Sequence, residues 1–475
     1  MSKKIKNGIS YNQNGWKYIS IKGNPKERGY AYGFLCANEF KEIQKMLKFF
    51  MMESFGMDWA FFIKEVNDDF KEMTQRDFKE FYEEMEGIAE GCNANNCKTN
   101  IDEIIAWNFY MSIPYWYSIK SQNKVGKEGG SKDRCSAFIA VGDWTTDGKI
   151  VCAHNSFCEF IDGQYLNIIL DLKPNEGHRI IMQTSPCSIW SGSDFWVTSK
   201  GIIGTETTIG GFYPYEKRFP IGYRIRQAMQ YGNTLDEYCK ILLHENSGDY
   251  ANSWLFGDIN TNEILRIELG LNYHNIERTT NGFFIGFNAT YDEKIRNLEC
   301  NDSGFFDVRR HQGARKVRLG DLMDEYKGKI NIEIAKRIIS DHYDVYLEKD
   351  DNPCSRTICS HYDLDPREFM SDPSRPKPFA PHGAVDGLIT DSTLAKKMMV
   401  EARWGNSCGI PFKAADFIKK HRQYEIFAPY LHDRLTQPWT TFGIDNNHAG
   451  GKTKFRLTKK MKKIKSNKTE KSINI

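Results

Sequence analysis

Three kinds of sequence feature are missing, and each absence excludes a class of protein. No run of 18 or more apolar residues occurs, so the sequence predicts no membrane-spanning helix. No GxGxxG or GxxxxGK[ST] motif is present, which leaves nucleotide binding without support. The N-terminus has neither an apolar stretch of about 7 to 15 residues nor a small-residue cleavage site. We therefore see no secretory signal and expect a cytoplasmic or other intracellular protein.

Cysteine is sparse, with twelve among 475 residues, far from the density of a disulfide scaffold. The cysteine pairs at 92–97, 152–158 and 354–359 do not have the CxxC spacing of zinc sites, and no HExxH motif accompanies them. We therefore expect no metal and no other cofactor. Most of the thiols are expected to be reduced and buried as small apolar side chains, which leaves room for one functional cysteine.

Charge is unevenly distributed. The formal net charge is +3, but residues 452–475 hold ten Lys or Arg against one acid, which leaves −6 for residues 1–451. The basicity therefore belongs to a tail, residues 451–475, that we expect to be disordered. Such a tail is either a solvated end or a peripheral contact for an anionic membrane surface. No nucleic-acid partner is expected, and the oligomeric state is left open.

The hydrophobic pattern changes period along the chain. Residues 24–54, 58–92 and 101–117 have apolar side chains at helical spacing, and a polar, glycine-containing loop follows at 118–134. Beyond that loop, short β-type runs flank a helical block. The β-type runs are 135–141, 149–155, 165–172, 179–184, 196–212, 253–259, 263–270 and 282–289, and the helical block is 218–244. This order favours an α+β fold with two packed sheets covered by helices.

Cys135 is the most informative single residue, because it opens the first of these strands directly after the polar loop. An N-terminal nucleophile hydrolase requires this placement. In such an enzyme the cysteine thiol attacks the preceding carbonyl, here that of Arg134, and the peptide bond is cut. The cut frees an α-amine on Cys135, which serves as a base near neutral pH. A buried structural thiol is the alternative that position alone leaves open.

Several segments in the same order resemble the phospholipase B-like (lamina ancestor) family of the N-terminal nucleophile hydrolases. These are RCSAFIAV, AHNSF, SDFWVTSKGIIGTETTIGG, NSGDYANSWLFGD and PHGAVDGLITDS, while NPKERGYAYG is similar to the opening of the related penicillin acyltransferase family. The resemblance implies a four-layer αββα sandwich. It also suggests a light fragment at 1–134 with the N-terminal helical segment and processing loop, a catalytic core at 135–450 and the tail at 451–475.

The resemblance carries roles onto particular residues. Cys135 would be the nucleophile, with cleavage between Arg134 and Cys135, and His154 would polarise the thiolate or the amine. Asn252 would donate to the oxyanion, and Arg266 would match a catalytic arginine. Thr207 and Thr208 would face the substrate, with Asp194 as a weaker candidate. For each of these residues an ordinary structural role is the alternative.

The function implied is self-processing hydrolysis of acyl esters, most concretely deacylation of glycerophospholipids. The alternatives are an amidase or acyltransferase acting on N-acyl amides, and a non-catalytic binding protein on the same fold. GNSCG at 405–409 matches the G-x-S-x-G nucleophile elbow, but the preceding MVEARW reads as charged and helix-like, which disfavours an α/β-hydrolase.

Two features depart from the family pattern. Its members are usually secreted or lysosomal glycoproteins, so these compartments are the alternative location, and the Asn288-Ala-Thr triplet would then be a glycan acceptor. Relatives often have a small residue where this chain has Arg134. Efficient processing is therefore an expectation that needs its own test.

Overall fold

The computed structural model describes residues 2–120, 135–301, 303–366 and 378–443. The strands are β1 Lys3–Ile5, β2 Gly8–Gln13, β3 Trp16–Gly23, β4 Cys135–Gly142, β5 Gly148–Glu159, β6 Ile168–Pro174, β7 Ile180–Thr184, β8 Phe195–Thr198, β9 Ile202–Thr208, β10 Asn252–Asp258, β11 Glu263–Leu269, β12 His274–Thr279, β13 Gly282–Gly286, β14 His382–Ala384, β15 Asp386–Asp391, β16 Val400–Trp404 and β17 Thr440–Phe442. The helices are α1 Pro25–Phe55, α2 Trp59–Asp77, α3 Lys79–Ala94, α4 Ile101–Asn108, α5 Ile113–Lys120, α6 Phe160–Gly163, α7 Ile221–Tyr231, α8 Leu235–Leu243, α9 His311–Glu325, α10 Ile332–Ile338, α11 Ser392–Lys396 and α12 Ala414–Lys420. None of these helices has the length and apolar character needed to cross a membrane.

The strands form two sheets. Within the described residues, the first sheet has ten strands in the order β1-β2-β3-β6-β7-β8-β9-β10-β11-β12. Its neighbouring strands are antiparallel except for β3 and β6, which run parallel. The second sheet has the order β13-β4-β5-β15-β16-β17, and β14 pairs with the end of β5. The nucleophile candidate therefore opens an inner strand of the second sheet, next to the edge strand β13.

The two sheets pack face to face through alternate residues of their strands. Ile139, Cys152 and Leu388 of the second sheet belong to one buried cluster with Ile203 and Leu255 of the first sheet. Each strand places every second side chain on one face, so the residues between them point outward. Those outward faces are also buried, which is why β4 and β9 consist almost entirely of buried residues.

Helices cover both outer faces. Side chains of α1 to α5, α7 and α8 form a large cluster with the outer face of the ten-stranded sheet. Leu319, Leu322 and Ile338 of α9 and α10 pack on Phe138 and Val151 of the seven-stranded sheet. The layers are helix, sheet, sheet and helix, so the predicted α+β fold with two packed sheets is confirmed.

Helices α1 and α3 approach each other closely along two pairs of glycines, Gly29 and Gly33 on α1 and Gly87 and Gly91 on α3. A Cβ atom added at Gly33 would lie 2.0 Å from the Ile88 carbonyl oxygen, and one at Gly91 would lie 2.1 Å from the Tyr30 carbonyl oxygen. Spacing of glycines by four residues lets helix backbones meet in this way. The packed helices also bury Glu84.

The N-terminal region differs from the expectation. The predicted N-terminal helical segment begins only at residue 25, because residues 3–23 form β1 to β3 and extend the ten-stranded sheet. The stretch 58–92 divides into α2 and α3 at Phe78, and the stretch 196–212 divides into β8 and β9. The division into domains at 134 and 450 stays a prediction.

The segment before GNSCG was also misread, since residues 400–404 form β16. The strand is not followed by the helix that a nucleophile elbow needs. The Ser407 hydroxyl is buried and donates to the Ile339 carbonyl oxygen at 2.6 Å. This hydroxyl is therefore engaged in holding two loops together.

Candidate active site

Cys135 is held at the start of β4 by its own backbone. Its amide N–H donates to Asn288 Oδ1 at 3.2 Å, and its carbonyl oxygen accepts from the Arg315 guanidinium. Arg315 Nη2 also donates to Asn288 Oδ1 at 2.8 Å, which closes a ring of contacts around the residue. Only 2% of the Cys135 surface is exposed. The backbone of Cys135 is thus held at its carbonyl and at the nitrogen that would become the new N-terminus.

Two further elements position these partners. Asn288 follows β13, and its Nδ2 donates to the Thr208 carbonyl oxygen at 2.8 Å, which ties the second sheet to the first. Arg315 lies on α9 and is fully buried. Its Nε donates to the His311 carbonyl oxygen at 3.0 Å, and its guanidinium lies over the Phe157 ring at 5.0 Å.

The Cys135 thiol faces two carboxylates. Sγ, an Asp194 carboxylate oxygen and a Glu206 carboxylate oxygen all lie within 4.8 Å of one another. The Tyr250 hydroxyl contacts Asp194 Oδ2 at 2.7 Å and Glu206 Oε1 at 3.0 Å. Burial, and then the charges of Glu206 and Asp194, raise the pKa of the Cys135 thiol well above its usual value. In the uncut chain this thiol is therefore neutral.

Left-handed backbone conformations concentrate around the thiol. Asp194, Tyr250 and Asn288 have φ angles of 68°, 68° and 64°, in the region that side chains other than glycine rarely adopt. Such conformations cost about 1 to 3 kcal/mol each and persist where the surroundings impose them, often at functional sites. All three residues contact Cys135 or belong to, or contact, the two carboxylates beside its thiol. Their strained backbone therefore favours a functional site here.

His154 lies on the neighbouring strand, on the same face as the cysteine. Cys135 is opposite Ser156 in the β4–β5 ladder, and His154 is two residues before Ser156. The imidazole is fully buried, and burial lowers its pKa to about 3, an effect that the nearby Glu206 backbone only partly offsets. It is consequently neutral at physiological pH, and within the described residues neither of its buried ring nitrogens has a hydrogen-bond partner.

Asp386 fixes the residue opposite Cys135. Its Oδ1 accepts from the Ser156 amide at 2.8 Å, and its Oδ2 accepts from Gln183 Nε2 at 2.6 Å. Burial is the main reason that its pKa rises to about 6, and the charge of Asp194 adds to this. The sequence analysis singled out the segment that contains Asp386 but gave the residue no role.

The predicted oxyanion donor and substrate residues lie on the first sheet. Asn252 opens β10 opposite Thr208, and within the described residues neither atom of its buried side-chain amide has a hydrogen-bond partner. Thr207 and Thr208 are consecutive on β9, so they point to opposite faces. Thr207 faces the second sheet, because a Cβ at Gly286 would lie 2.5 Å from its Cγ2.

Arg266 lies apart from the contacts described for Cys135. It pairs with Glu277 on the neighbouring strand β12, and its guanidinium lies over the rings of Phe284 at 5.2 Å and Tyr291 at 4.4 Å. In the part of the chain that is described, Arg315 is the arginine that contacts Cys135. The role expected for Arg266 stays a prediction, and Arg134 and the basic tail lie outside the described residues.

Sequence reasoning missed Asn288, Arg315, Glu206 and Tyr250 as members of this site. Asn288 carried a misleading signal, because it opens a glycosylation triplet, whereas the structure buries it completely. Arg315 is 180 residues from Cys135 in sequence. Glu206 and Tyr250 both lie inside segments that were singled out for the family resemblance, so these two were within reach of the sequence analysis.

A small pocket with aromatic walls is lined by residues that lie close to the Cys135 site along the chain. Its walls include Trp107, Met111 and Trp190, together with Cys158 and Gly192. Cys158 lies two residues beyond Ser156 on β5, and Gly192 lies two residues before Asp194. These lining residues are thus close to the cysteine site along the chain. The volume of the pocket is only about 40 Å³, far below the roughly 300 to 1,000 Å³ of usual ligand sites, and its lining also includes the carboxylate of Asp162.

A family model described as Phospholipase B matches residues 10–269. The chain belongs to the phospholipase B family. The phospholipase B match covers both Cys135 and Asn252 but ends before Asn288 and Arg315. The chain is also similar to an uncharacterized protein of Archaeoglobus fulgidus, with 25% identity over 243 residues, or 47% of this chain. The aligned region is 38% of that protein, so the chain spans well under half of the length of this curated relative.

Proposed function

We propose that the protein is a self-processing cysteine hydrolase that removes acyl chains from glycerophospholipids. Membership of the phospholipase B family supports hydrolysis of lipid acyl esters. The observation that carries the self-processing proposal is the geometry of Cys135. The residue opens a strand, its amide and carbonyl are both fixed by hydrogen bonds, and its thiol lies beside two carboxylates.

In the first stage, Cys135 Sγ attacks the carbonyl carbon of Arg134. The peptide nitrogen leaves with a proton and becomes the α-amine of Cys135, and water then hydrolyses the thioester. The contact from Arg315 to the Cys135 carbonyl and the contact from Cys135 N–H to Asn288 hold the backbone for this attack. Stored strain at Asp194, Tyr250 and Asn288 favours a precursor that is pre-organised to react.

In the second stage, the freed α-amine accepts the thiol proton as Sγ attacks the substrate ester. The carboxylates of Asp194 and Glu206 oppose a thiolate in the uncut chain, but they stabilise the ammonium that forms beside them in this step. The alcohol leaves with that proton, and water hydrolyses the acyl-enzyme. Asn252 Nδ2 is the proposed oxyanion donor, and a donor of this kind contributes about 10²- to 10³-fold to the rate.

The remaining residues take positioning and binding roles in this proposal. Neutral His154 orients the nucleophile or the amine by a hydrogen bond. We assign to Arg315 the arginine role that the family resemblance suggested for Arg266, because Arg315 contacts Cys135. Thr207, whose side chain faces the second sheet, would contact the substrate, as the family resemblance suggested.

The experiment is an intact mass and N-terminal sequence of purified protein, beside a Cys135→Ala variant. The expected result is a fragment that begins at Cys135 in the wild type and an uncut chain of 55.0 kDa in the variant. An uncut chain in both samples would refute self-processing. Cys152→Ala, which alters another buried thiol of the same sheet, is the matched control and should be cut like the wild type.

Substrate class is then tested on the processed protein. Release of fatty acid from a glycerophospholipid is expected to exceed release from an N-acyl amide of the same chain length. The reverse preference would favour the amidase or acyltransferase alternative. A processed protein that hydrolyses neither substrate would favour a binding protein on this fold.

A further inference from the structure

A second cluster of reactive side chains lies outside the active site and has the composition of a metal centre. His342, Cys359, His361 and Cys408 each offer one ligand atom, and these four atoms lie within 4.8 Å of one another. His361 Nε2 is 3.4 Å from Cys359 Sγ and 3.4 Å from Cys408 Sγ. Tetrahedral Zn²⁺ with its usual bond lengths separates such ligand atoms by about 3.3 to 3.8 Å.

Both imidazoles are turned with the same nitrogen toward the centre of the cluster. His342 Nδ1 contacts Asp351 Oδ1 at 3.1 Å, and His361 Nδ1 lies 3.7 Å from Asp363 Oδ1. The Nε2 atoms are thus left for the interior, and that of His342 is buried with no hydrogen-bond partner among the described residues. A carboxylate behind each imidazole is the usual arrangement of histidines that bind metals.

The sulfur atoms also have polar neighbours. Ser407 Oγ lies 3.3 Å from Cys359 Sγ, and the Ile410 amide donates to Cys408 Sγ at 3.4 Å. Cys408 Sγ also lies 3.1 Å from Asn406 Oδ1. Cys359 is fully buried, and His361 is 3% exposed. Two soft sulfur and two imidazole ligands form a donor set that selects zinc over calcium or magnesium.

We propose that His342, Cys359, His361 and Cys408 bind one Zn²⁺ in a closed tetrahedral site. Four protein ligands leave no open position for water or substrate, so the role of the metal is structural. This proposal is independent of the hydrolase function and replaces the expectation, drawn from cysteine spacing, that the protein binds no metal. The ligands come from three parts of the chain, at residues 342, 359–361 and 408, so no single short sequence motif contains all four.

The ion would hold together the loops beneath the nucleophile strand. Asn155 Nδ2 of β5 contacts Ser407 Oγ at 3.2 Å and the Ile358 carbonyl oxygen at 3.3 Å. Ser136, the neighbour of Cys135, donates from Oγ to the same Ile358 carbonyl at 3.2 Å. A metal bound to the adjacent residues would thereby fix the loop on which β4 and β5 rest.

The first test is metal analysis of protein prepared with a thiol reductant and without a histidine tag. The expected result is about one zinc per chain by elemental mass spectrometry. Exchange of zinc for Co²⁺ should give tetrahedral d–d absorption and the charge-transfer bands of two thiolate ligands. Protein that contains no zinc and binds none from an added zinc salt would overturn the proposal. A Cys359–Cys408 disulfide in the native protein, found by peptide mass, would also overturn it.

Variants then assign the ligands. Cys408→Ser should reduce the Co²⁺ charge-transfer intensity to about half, because one of two thiolates is lost. Asp363→Asn, which alters only the partner of an imidazole, should weaken zinc binding about 10- to 100-fold in a chelator competition. Cys354→Ala is the matched control, since Cys354 is buried in the same segment but is not in the cluster, and it should retain one zinc. Equal zinc affinity for Asp363→Asn and the wild type would count against this geometry. If Cys408→Ser does not fold, the charge-transfer bands of the wild-type Co²⁺ protein decide whether thiolates bind the metal.

Discussion

Replacement of Asn288 by alanine should destabilise the protein by about 4 to 6 kcal/mol. Asn288 is fully buried and has three partners, namely the Cys135 amide, the Arg315 guanidinium and the Thr208 carbonyl. Each buried group left without a partner costs about 1 to 3 kcal/mol, and a charged one costs more. An alanine at φ 64° adds about 1 kcal/mol of backbone strain.

The assay is urea unfolding followed by tryptophan fluorescence, with all variants made on Cys135→Ala so that none can be cut. The midpoints are compared at a common slope, because an altered slope would signal a change in the compactness of one state. Asn288→Gly should be about 1 kcal/mol more stable than Asn288→Ala, since glycine tolerates the positive φ angle. This difference separates the backbone contribution from the lost hydrogen bonds.

The control is Asn281→Ala, at an exposed asparagine whose side chain bonds to both the backbone and the carboxylate of Asp143. Water replaces those partners, so the loss should be below about 1 kcal/mol. If Asn288→Ala loses no more stability than Asn281→Ala, Asn288 does not hold Cys135 in the way described. The same result would remove the main support for a pre-organised cleavage site.

Three further predictions concern Asp386, the glycines of two helices, and Glu84. Burial raises the pKa of Asp386 to about 6, against about 3.9 in an unfolded chain. Between these pH values the folded state keeps a proton that the unfolded state has released, so the free energy of unfolding falls as the pH rises. This loss amounts to about 2 kcal/mol between pH 4 and 6.5. Asp386→Asn should lack it when urea unfolding is measured over that range, and parallel curves for the two proteins would contradict the assignment. Gly33→Ala should lower the melting temperature because its Cβ meets the backbone of α3, whereas Gly320→Ala, on α9 with no atom within 4 Å, should stabilise by about 0.5 to 1 kcal/mol. Glu84→Gln should cost about 3 to 5 kcal/mol, because it leaves buried Arg226 without a carboxylate partner and buried Arg28 with Glu80 alone. Glu83→Gln, at a partly exposed position on the same helix, should be nearly neutral in the same unfolding assay.

Much of the fold was readable because hydrophobic periodicity marks buried elements. The strands from Cys135 onward and the helical block at 218–244 carry strong apolar patterns, and the structure has elements at these places. Of the strands before residue 24, only the edge strand β1 is mostly polar, whereas β3 buries apolar side chains such as Trp16 and Ile21, so its strand pattern was present and was missed. A local signal was present, since Asn14-Gly15 sits at a hairpin turn between β2 and β3, with both residues at positive φ.

The candidate site was harder to read because its contacts are distant in sequence. Cys135, His154 and Asn252 could be proposed from segments that resemble a known family. Arg315 lies on α9 among many charged residues, and nothing in that local pattern distinguishes a buried arginine from an exposed one. The pairing of Thr207 with Thr208 could have been questioned at once, because neighbours on a strand face opposite ways.

The parallel pairing of β3 with β6 has a consequence for a chain cut before Cys135. Residues 17–23 and 168–174 would then belong to two polypeptides that share one sheet, with the glycine-packed helices of the first lying over strands of the second. The cut protein would stay associated without a covalent link, yet its refolding from denaturant would require two molecules to meet. Recovery would then depend on protein concentration after processing and be independent of it before, so a single cut would turn a reversible folding reaction into one that is hard to repeat in dilute solution.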